Sequence, residues 1–181
     1  LLFESDSTLI TPTYHHADPR SKEGMQKVLS KVPKESIYEE TGVWPMPTNT
    51  LFQLGAERPR RLSRAAHLLT VADAFNFLLA GVPRFEMSQA STTQLYNPTT
   101  HTWSDRLLNC LRLPPKLLPP LVPAGTELGP LRPEIAKSTG LEDAQVVASC
   151  SHETAAALVG LPISPGESWA YLQVGSWTVI G

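Results

Sequence analysis

The sequence predicts an α/β domain, and three observations carry that expectation. A short apolar stretch at 145–148 leads through small polar residues into the alanine-rich run Thr154-Ala155-Ala156-Ala157-Leu158, as a strand entering a helix would. Across 65–81, Leu68, Leu69, Val71, Ala72, Phe75, Leu78 and Leu79 recur at helical spacing. Residues 1–13 and 168–181 each alternate as strands about a small polar cluster. Strands interleaved with helices define the class.

Taken in order, 1–13 reads as a β-hairpin turning at Ser5-Asp6-Ser7. Tyr14-His15-His16-Ala17-Asp18-Pro19-Arg20 follows. Two histidines and an aspartate invite a metal, but no further His, Cys or carboxylate follows at ligand spacing. An Asp18–Arg20 pair on a loop lip is the plainer expectation. Residues 21–32 read as a helix capped by Ser21, with Met25, Val28, Leu29 and Val32 as its apolar stripe and Pro33 as its stop. A second helix at 34–41 ends at Gly42. Thr48 is expected to cap a third, carrying Leu51, Phe52, Leu54 and Gly55. Arg58, Arg60, Arg61 and Arg64 read as a solvated face.

Residues 65–81 read as the strongest helix, stopped by Gly81, with Asp73 and Asn76 as polar exceptions and a structural role for Asp73. Between 85 and 96, Glu86, Ser88, Thr92, Thr93 and Gln94 suit helix caps and turn bonds. Ser104 is expected to cap a helix over 103–113. A rigid, extended stretch rich in proline follows, holding Pro114, Pro115, Pro119, Pro120, Pro123 and Pro130. A strand-turn at 126–129, a helix at 132–139 ending at Gly140, and a buried strand at 145–148 complete the frame.

Composition excludes several classes. The formal net charge is −2 and no Lys/Arg run is present, which argues against nucleic acid or an acidic membrane as the main partner. Cys110 and Cys150 are far apart, so neither a zinc site nor a disulfide framework is expected, and a reducing cytoplasm is the default setting. No apolar run approaches the roughly 20 residues of a membrane span, and no signal peptide is visible.

Chemistry concentrates at Ser149-Cys150-Ser151-His152-Glu153-Thr154, where the 145–148 strand gives way to a helix. In open α/β sheets ligands are held at such points. Glu153 there can serve as a general base, with His152 and Thr154 beside it. The bland alternative has Ser151 capping the helix and Glu153 favoured in its first turn by the macrodipole. Cys150 is expected to be a small buried residue and not a nucleophile. A zinc hydrolase of H-E-x-x-H type needs a second histidine where Ala156 stands. Further on, Gly175-Ser176 makes a tight turn between strands, whose backbone N–H groups can face an anion.

Together, the His152-Glu153-Thr154 turn and the Gly175-Ser176-Trp177-Thr178 hairpin resemble the FGGY carbohydrate kinases, and within them the branch acting on rhamnulose. Segments 37–42, 47–54 and 90–96 occur in that family's order and spacing, so the resemblance covers nearly the whole chain. It implies an actin-like, ribonuclease-H-like α/β fold: residues 1–167 as part of a sugar-binding N-terminal domain and 168–181 as the start of a nucleotide-binding one. It implies phosphoryl transfer from ATP, with Mg²⁺, to a ketose sugar, with Glu153 as base, His152 and Thr154 on the sugar, and Gly175 and Ser176 on the nucleotide phosphates. His16, Asp18 and Arg20 fall where many members carry an aromatic followed by Asp-x-Arg, and the 85–96 segment falls near the sugar pocket.

The family has aspartate where Glu153 stands, one methylene shorter, so a kinase-like module that binds without catalysis is the alternative. The chain opens on Leu1-Leu2-Phe3-Glu4 and closes on Val179-Ile180-Gly181, which predicts a piece of a larger protein. The resemblance implies that the family's aspartate-containing phosphate loop and adenosine-binding part lie outside this piece, so it is expected to be inactive alone.

Overall fold

The computed structural model describes residues 1–164, 166, 168–175 and 178–181. Strand β1 (Leu2–Phe3) pairs antiparallel with β2 (His67–Leu68), Leu2 opposite Leu68 and Phe3 opposite His67. Between them the chain doubles back at Ser5-Asp6-Ser7. Phe3 bridges Leu9, Glu4 N–H donates to the Thr8 carbonyl at 2.9 Å, and the Asp6 carboxylate accepts from Thr8 N–H at 2.9 Å. The expected turn forms, but the regular partner of its first strand is β2.

Four helices follow: α1 (Arg20–Leu29), α2 (Lys34–Thr41), α3 (Thr50–Gly55) and α4 (Pro59–Leu62). Two expected caps are corrected. Ser21 lies buried inside α1, Pro19 holds the cap position, and the Asp18 carboxylate accepts the Arg20 N–H at 2.9 Å. Asn49, not Thr48, holds the cap position of α3: its carbonyl accepts the Phe52 N–H at 3.0 Å, while its side chain is tied to Met46 N–H (2.8 Å) and the Thr92 carbonyl (3.0 Å) and makes no cap bond. Gly42 closes α2 in the left-handed conformation, φ 69°, as its position predicts.

The expected long helix over 65–81 is shorter. His67 and Leu68 are extended, Thr70 Oγ1 accepts the Asp73 N–H at 3.2 Å, and helix α5 (Val71–Ala80) begins only there. Leu68 and Leu69 fit helical spacing but are buried by strand pairing and its neighbour, and the Thr70 cap decides between the two.

The rest of the chain supplies β3 (Phe85–Glu86), α6 (Met87–Ala90), β4 (Tyr96–Asn97), β5 (Thr102–Trp103), α7 (Asp105–Cys110), β6 (Leu121–Val122), β7 (Thr126–Pro130), α8 (Pro133–Thr139), β8 (Gln145–Ala148), α9 (Glu153–Val159), β9 (Leu172–Val174) and β10 (Thr178–Ile180). Ser104 caps α7 as expected, its Oγ accepting Leu107 N–H at 3.3 Å, but the helix is only six residues: Trp103 belongs to β5, and Arg112 beyond its end is left-handed, φ 56°. β3 runs parallel to β6, β7 antiparallel to β8, and β9 antiparallel to β10. Along β8 burial alternates: Val146 and Ala148 are inside, while Val147 is 43% exposed. The strand is thus one-sided and not buried on both faces.

The main core gathers Val28, Ile37, Leu51, Phe52, Leu95, Leu107 and Leu117, all fully enclosed. A second cluster joins Val122, Leu128, Val146 and Ala148 to Leu79 and Ala80 of α5. That second cluster sets β8, and hence the turn that follows it, over the end of β6. Among the described residues, no helix is long and apolar enough to cross a membrane.

Candidate functional site

The site is built from two segments about 65 residues apart in sequence: β3 with α6, and the turn between β8 and α9. β3 is pinned on one side by its parallel register, Glu86 opposite Val122. On the other, Glu86 N–H donates to Asp73 Oδ1 at 3.1 Å, while Thr70 Oγ1 donates to Asp73 Oδ2 at 2.7 Å. Asp73 therefore has the structural role expected of it.

Glu86 is 2% exposed, and its carboxylate gathers the turn. Oε1 accepts Ser88 N–H at 2.9 Å, and Oε2 accepts the Ser88 hydroxyl. The same Oε2 accepts Ser151 N–H at 3.2 Å and Ser151 Oγ at 2.9 Å. Ser88 Oγ in turn accepts His152 N–H at 3.0 Å, and Gln89 Nε2 donates to the Ser151 carbonyl at 2.9 Å. Burial disfavours the Glu86 charge, but the hydrogen bonds from Ser88 and Ser151 outweigh it and hold the carboxyl below its ordinary value. Asp73 is pushed the other way, first by desolvation and further by the neighbouring Glu86 charge.

Above this clamp sit the residues expected to act. His152 occupies the cap position of α9 and is half-buried; Glu153 begins the helix and is exposed; Thr154 is half-buried. Ser151 does not cap α9, because its hydroxyl is spent on Glu86. Cys150 is half-buried. The arrangement presents an exposed carboxylate, flanked by an imidazole and a hydroxyl, on a turn whose backbone is tied down from beneath. A carboxylate so placed can accept a proton from a bound hydroxyl.

β9 and β10 form the expected hairpin, Val174 opposite Thr178, and Gly175 opens its turn. Ser176 lies outside the described residues.

Other expected residues serve the fold. Ser91 Oγ, Thr92 Oγ1 and Thr93 Oγ1 donate to the carbonyls of Ser88, Gln89 and Ala90, one turn back, at 2.6–2.8 Å. Gln94 Nε2 donates to the Val43 carbonyl at 2.7 Å. Arg20 does not pair with the Asp18 carboxylate through its guanidinium. It reaches Glu57 at 3.3 Å and lies 3.5 Å from the centre of the Tyr14 ring. His16 is exposed, its ring 4.1 Å from that of His15. Arg61 leaves the expected solvated face: it meets Glu57 at 3.1 Å and donates to the carbonyls of Ile10, Thr11 and Pro12. A small cavity of about 60 Å³ lies against Tyr14, Arg20, Gln53, Glu57 and Arg61. A larger one of about 980 Å³ is bordered by Lys27, Lys31, Arg64, Arg112 and Lys116. Neither is lined by residues 152–154.

Glu57, buried with two arginines, is a residue the sequence reading does not single out; its spacing of four from Arg61 is the available signal. Glu86 caps α6 through Ser88 N–H, as the 85–96 segment predicts, but its hold on Ser151 is not expected; a carboxylate between Phe85 and Met87 with a serine two residues on flags a buried acceptor.

Comparison with known proteins places this architecture. Residues 1–160 match the FGGY family of carbohydrate kinases, N-terminal domain, and the chain belongs to that family. It is similar to the rhamnulokinase of Enterococcus faecalis, 33% identical over 180 residues, covering 99% of this chain and 36% of that protein. It is similar also to the rhamnulokinase of Pectobacterium carotovorum, 35% identical over 184 residues, again 36% of the relative. The chain thus spans little more than a third of the curated relatives it matches. Among solved structures, a ligand-bound xylulose kinase from Lactobacillus acidophilus superposes with a TM-score of 0.74 at 23% identity, over 82% of this chain and 31% of that one. A carbohydrate kinase from Novosphingobium aromaticivorans gives 0.68 at 27% identity, over 88% and 35%. The fold is the actin-like, ribonuclease-H-like one expected from the sequence.

Proposed function

We propose that the natural polypeptide containing this sequence transfers the γ-phosphoryl group of MgATP to a hydroxyl of a ketose sugar of the rhamnulose type. The observation that carries the reading is the turn after β8: Glu86 and Ser88 bind its backbone, and Glu153 is left exposed at its tip. Such transfers depend on positioning and charge stabilisation, with one carboxylate accepting the hydroxyl proton.

In this reading the Glu153 carboxylate takes the proton from the sugar hydroxyl as that oxygen bonds to the γ-phosphorus and the bond to ADP breaks. His152 and Thr154 hold neighbouring sugar oxygens. Gly175 and Ser176 face the nucleotide phosphates, and the magnesium ion arrives with the nucleotide as part of the substrate. Residues 1–167 belong to the sugar-binding domain and 168–181 open the nucleotide-binding one. In support, the family match ends at residue 160, and β9 pairs with β10 and with no other strand among the described residues.

The rhamnulokinases at 33% and 35% identity support rhamnulose as first substrate to try. The test is a coupled ADP-release assay with rhamnulose, xylulose and fuculose, on wild type and Glu153→Gln. Transfer by the wild type that Glu153→Gln abolishes supports the reading; near wild-type transfer by Glu153→Gln removes Glu153 as base. Sugar binding by calorimetry without nucleotide binding or turnover would instead support a non-catalytic module, the reading that the longer glutamate side chain favours.

A further inference from the structure

Glu86 has more to do than its burial requires. Four donors from two residues converge on its carboxylate: Ser88 N–H, Ser88 Oγ, Ser151 N–H and Ser151 Oγ. A carboxylate has about four lone-pair sites, so this group is close to saturated by them. The set is directional. Ser88 Oγ spends its proton on Glu86 and is thereby oriented to accept His152 N–H, so one carboxylate governs the backbone of two successive residues before Glu153. Gln89 secures the carbonyl between them. The Glu86 backbone is itself anchored by Asp73 and by β6, so the clamp transmits the position of the sheet to the turn.

We propose that Glu86 is a positioning residue for the reacting carboxylate: through Ser151 and Ser88 it sets the height and direction at which Glu153 leaves the turn. This rests on the reading of Glu153 as the base. Hydrogen bonds to an ionised acceptor are stronger and shorter than neutral ones, and networks of them polarise one another. Glu86→Gln replaces one acceptor oxygen with a donor, which then opposes the hydroxyls or amides of Ser88 and Ser151. Catalytic groups tolerate only about 0.5 Å of misplacement, so a turn released from its clamp loses turnover before it loses sugar binding.

The test uses the natural polypeptide containing this sequence, with rhamnulose and ATP as substrates, and compares Glu86→Gln, Glu153→Gln and the double variant. Expected in Glu86→Gln is an acceleration of about tenfold or more in amide hydrogen exchange at Ser151 and His152, with α1 exchanging as in wild type. Expected also is a fall of about tenfold to a hundredfold in kcat with KM within about threefold. In the Glu153→Gln background that kcat loss should vanish, since groups acting as one unit are not additive. Unchanged exchange at Ser151 and His152, or fully additive kcat losses, overturns the proposal. If the wild type transfers no phosphoryl group, the base assignment falls, and the exchange data alone decide whether Glu86 holds the turn. If Glu86→Gln does not fold, Ser151→Ala, which deletes one hydroxyl from the same carboxylate, takes its place in the same comparison, with the same results supporting or sinking it.

Discussion

Gly24 of α1 and Gly55 of α3 meet backbone to backbone: a Cβ built on Gly55 would lie 2.7 Å from the Gly24 carbonyl oxygen. A Cβ on Gly24 would lie 2.0 Å from the Phe52 carbonyl oxygen and 2.6 Å from the Ala56 nitrogen. Lys27 Nζ crosses the same joint to the Gly55 carbonyl at 3.1 Å. Neither glycine needs a positive φ here; both are required by the close approach.

Gly24→Ala is therefore expected to destabilise. On an open helix surface the substitution stabilises by about 0.5–1 kcal/mol. Here the added methyl group strikes backbone, which cannot rotate away, and forcing the helices apart costs about 1–3 kcal/mol or more. Urea denaturation followed by far-UV circular dichroism measures the sign. A stabilised Gly24→Ala would mean that the two helices do not pack at this distance.

Arg61→Ala is expected to cost about 1.5–3 kcal/mol, the range for losing hydrogen bonds that involve a charged group, because Arg20 at 3.3 Å still partners the Glu57 carboxylate. Side-chain exposure is 5% for Glu57 and 14% for Arg61, and the carbonyls of Ile10, Thr11 and Pro12 lose their donor together. Arg61→Lys should recover little, because a point charge cannot serve several acceptors as the planar fork does. Thermal unfolding of both variants distinguishes them; equal, full recovery by lysine would refute the geometric part of this expectation.

The two neighbouring carboxylates predict opposite responses to pH. Glu86 is held below its ordinary value of 4.5, so in this region the unfolded chain binds more protons and the stabilisation is lost as pH falls from 4.5 through the folded value. Asp73 is raised above its ordinary 3.8 by desolvation, so the folded state binds the proton more tightly, and stability contributed at low pH is lost as pH rises through the folded value. Urea midpoints from about pH 3 to 7 should show Glu86→Gln losing ground to wild type as pH rises, and Asp73→Asn gaining. Parallel curves for the three proteins would contradict both assignments.

If the natural polypeptide containing this sequence transfers a phosphoryl group as proposed, Glu153→Gln in it should lower kcat by about a hundredfold to ten-thousandfold, the range for removing a general base. Glu153 is exposed, so the melting temperature should barely move. Glu153→Asp keeps the proton acceptor and shortens its reach, and should retain measurable turnover. Steady-state kinetics with rhamnulose separates the two variants.

Local rules carried part of this structure. The helix at 34–41 and its Gly42 stop, the Ser104 cap and the helix closing on Gly140 are each decided within a few residues, where capping and backbone conformation act. Ser21 misled because two polar residues competed for one helix start, and Asp18 won. The pairing of β1 with β2 was hidden because two-residue strands show no periodicity, and the matching leucines satisfied a helix equally well. Gly24 and Gly55, like Glu86 and Ser151, are joined only by tertiary packing, so no window of sequence contains both members. The turn at 149–154 was visible as a place for chemistry; what fixes it was not.

The sharing of one carboxylate by Ser88 and Ser151 has an evolutionary corollary. A lineage that exchanges Glu86 for a residue without two acceptor oxygens strands donors on both serines at once, and no single further substitution relieves both. These three positions should therefore drift together or not at all, and a natural sequence altered at one alone would have to hold the turn by other means.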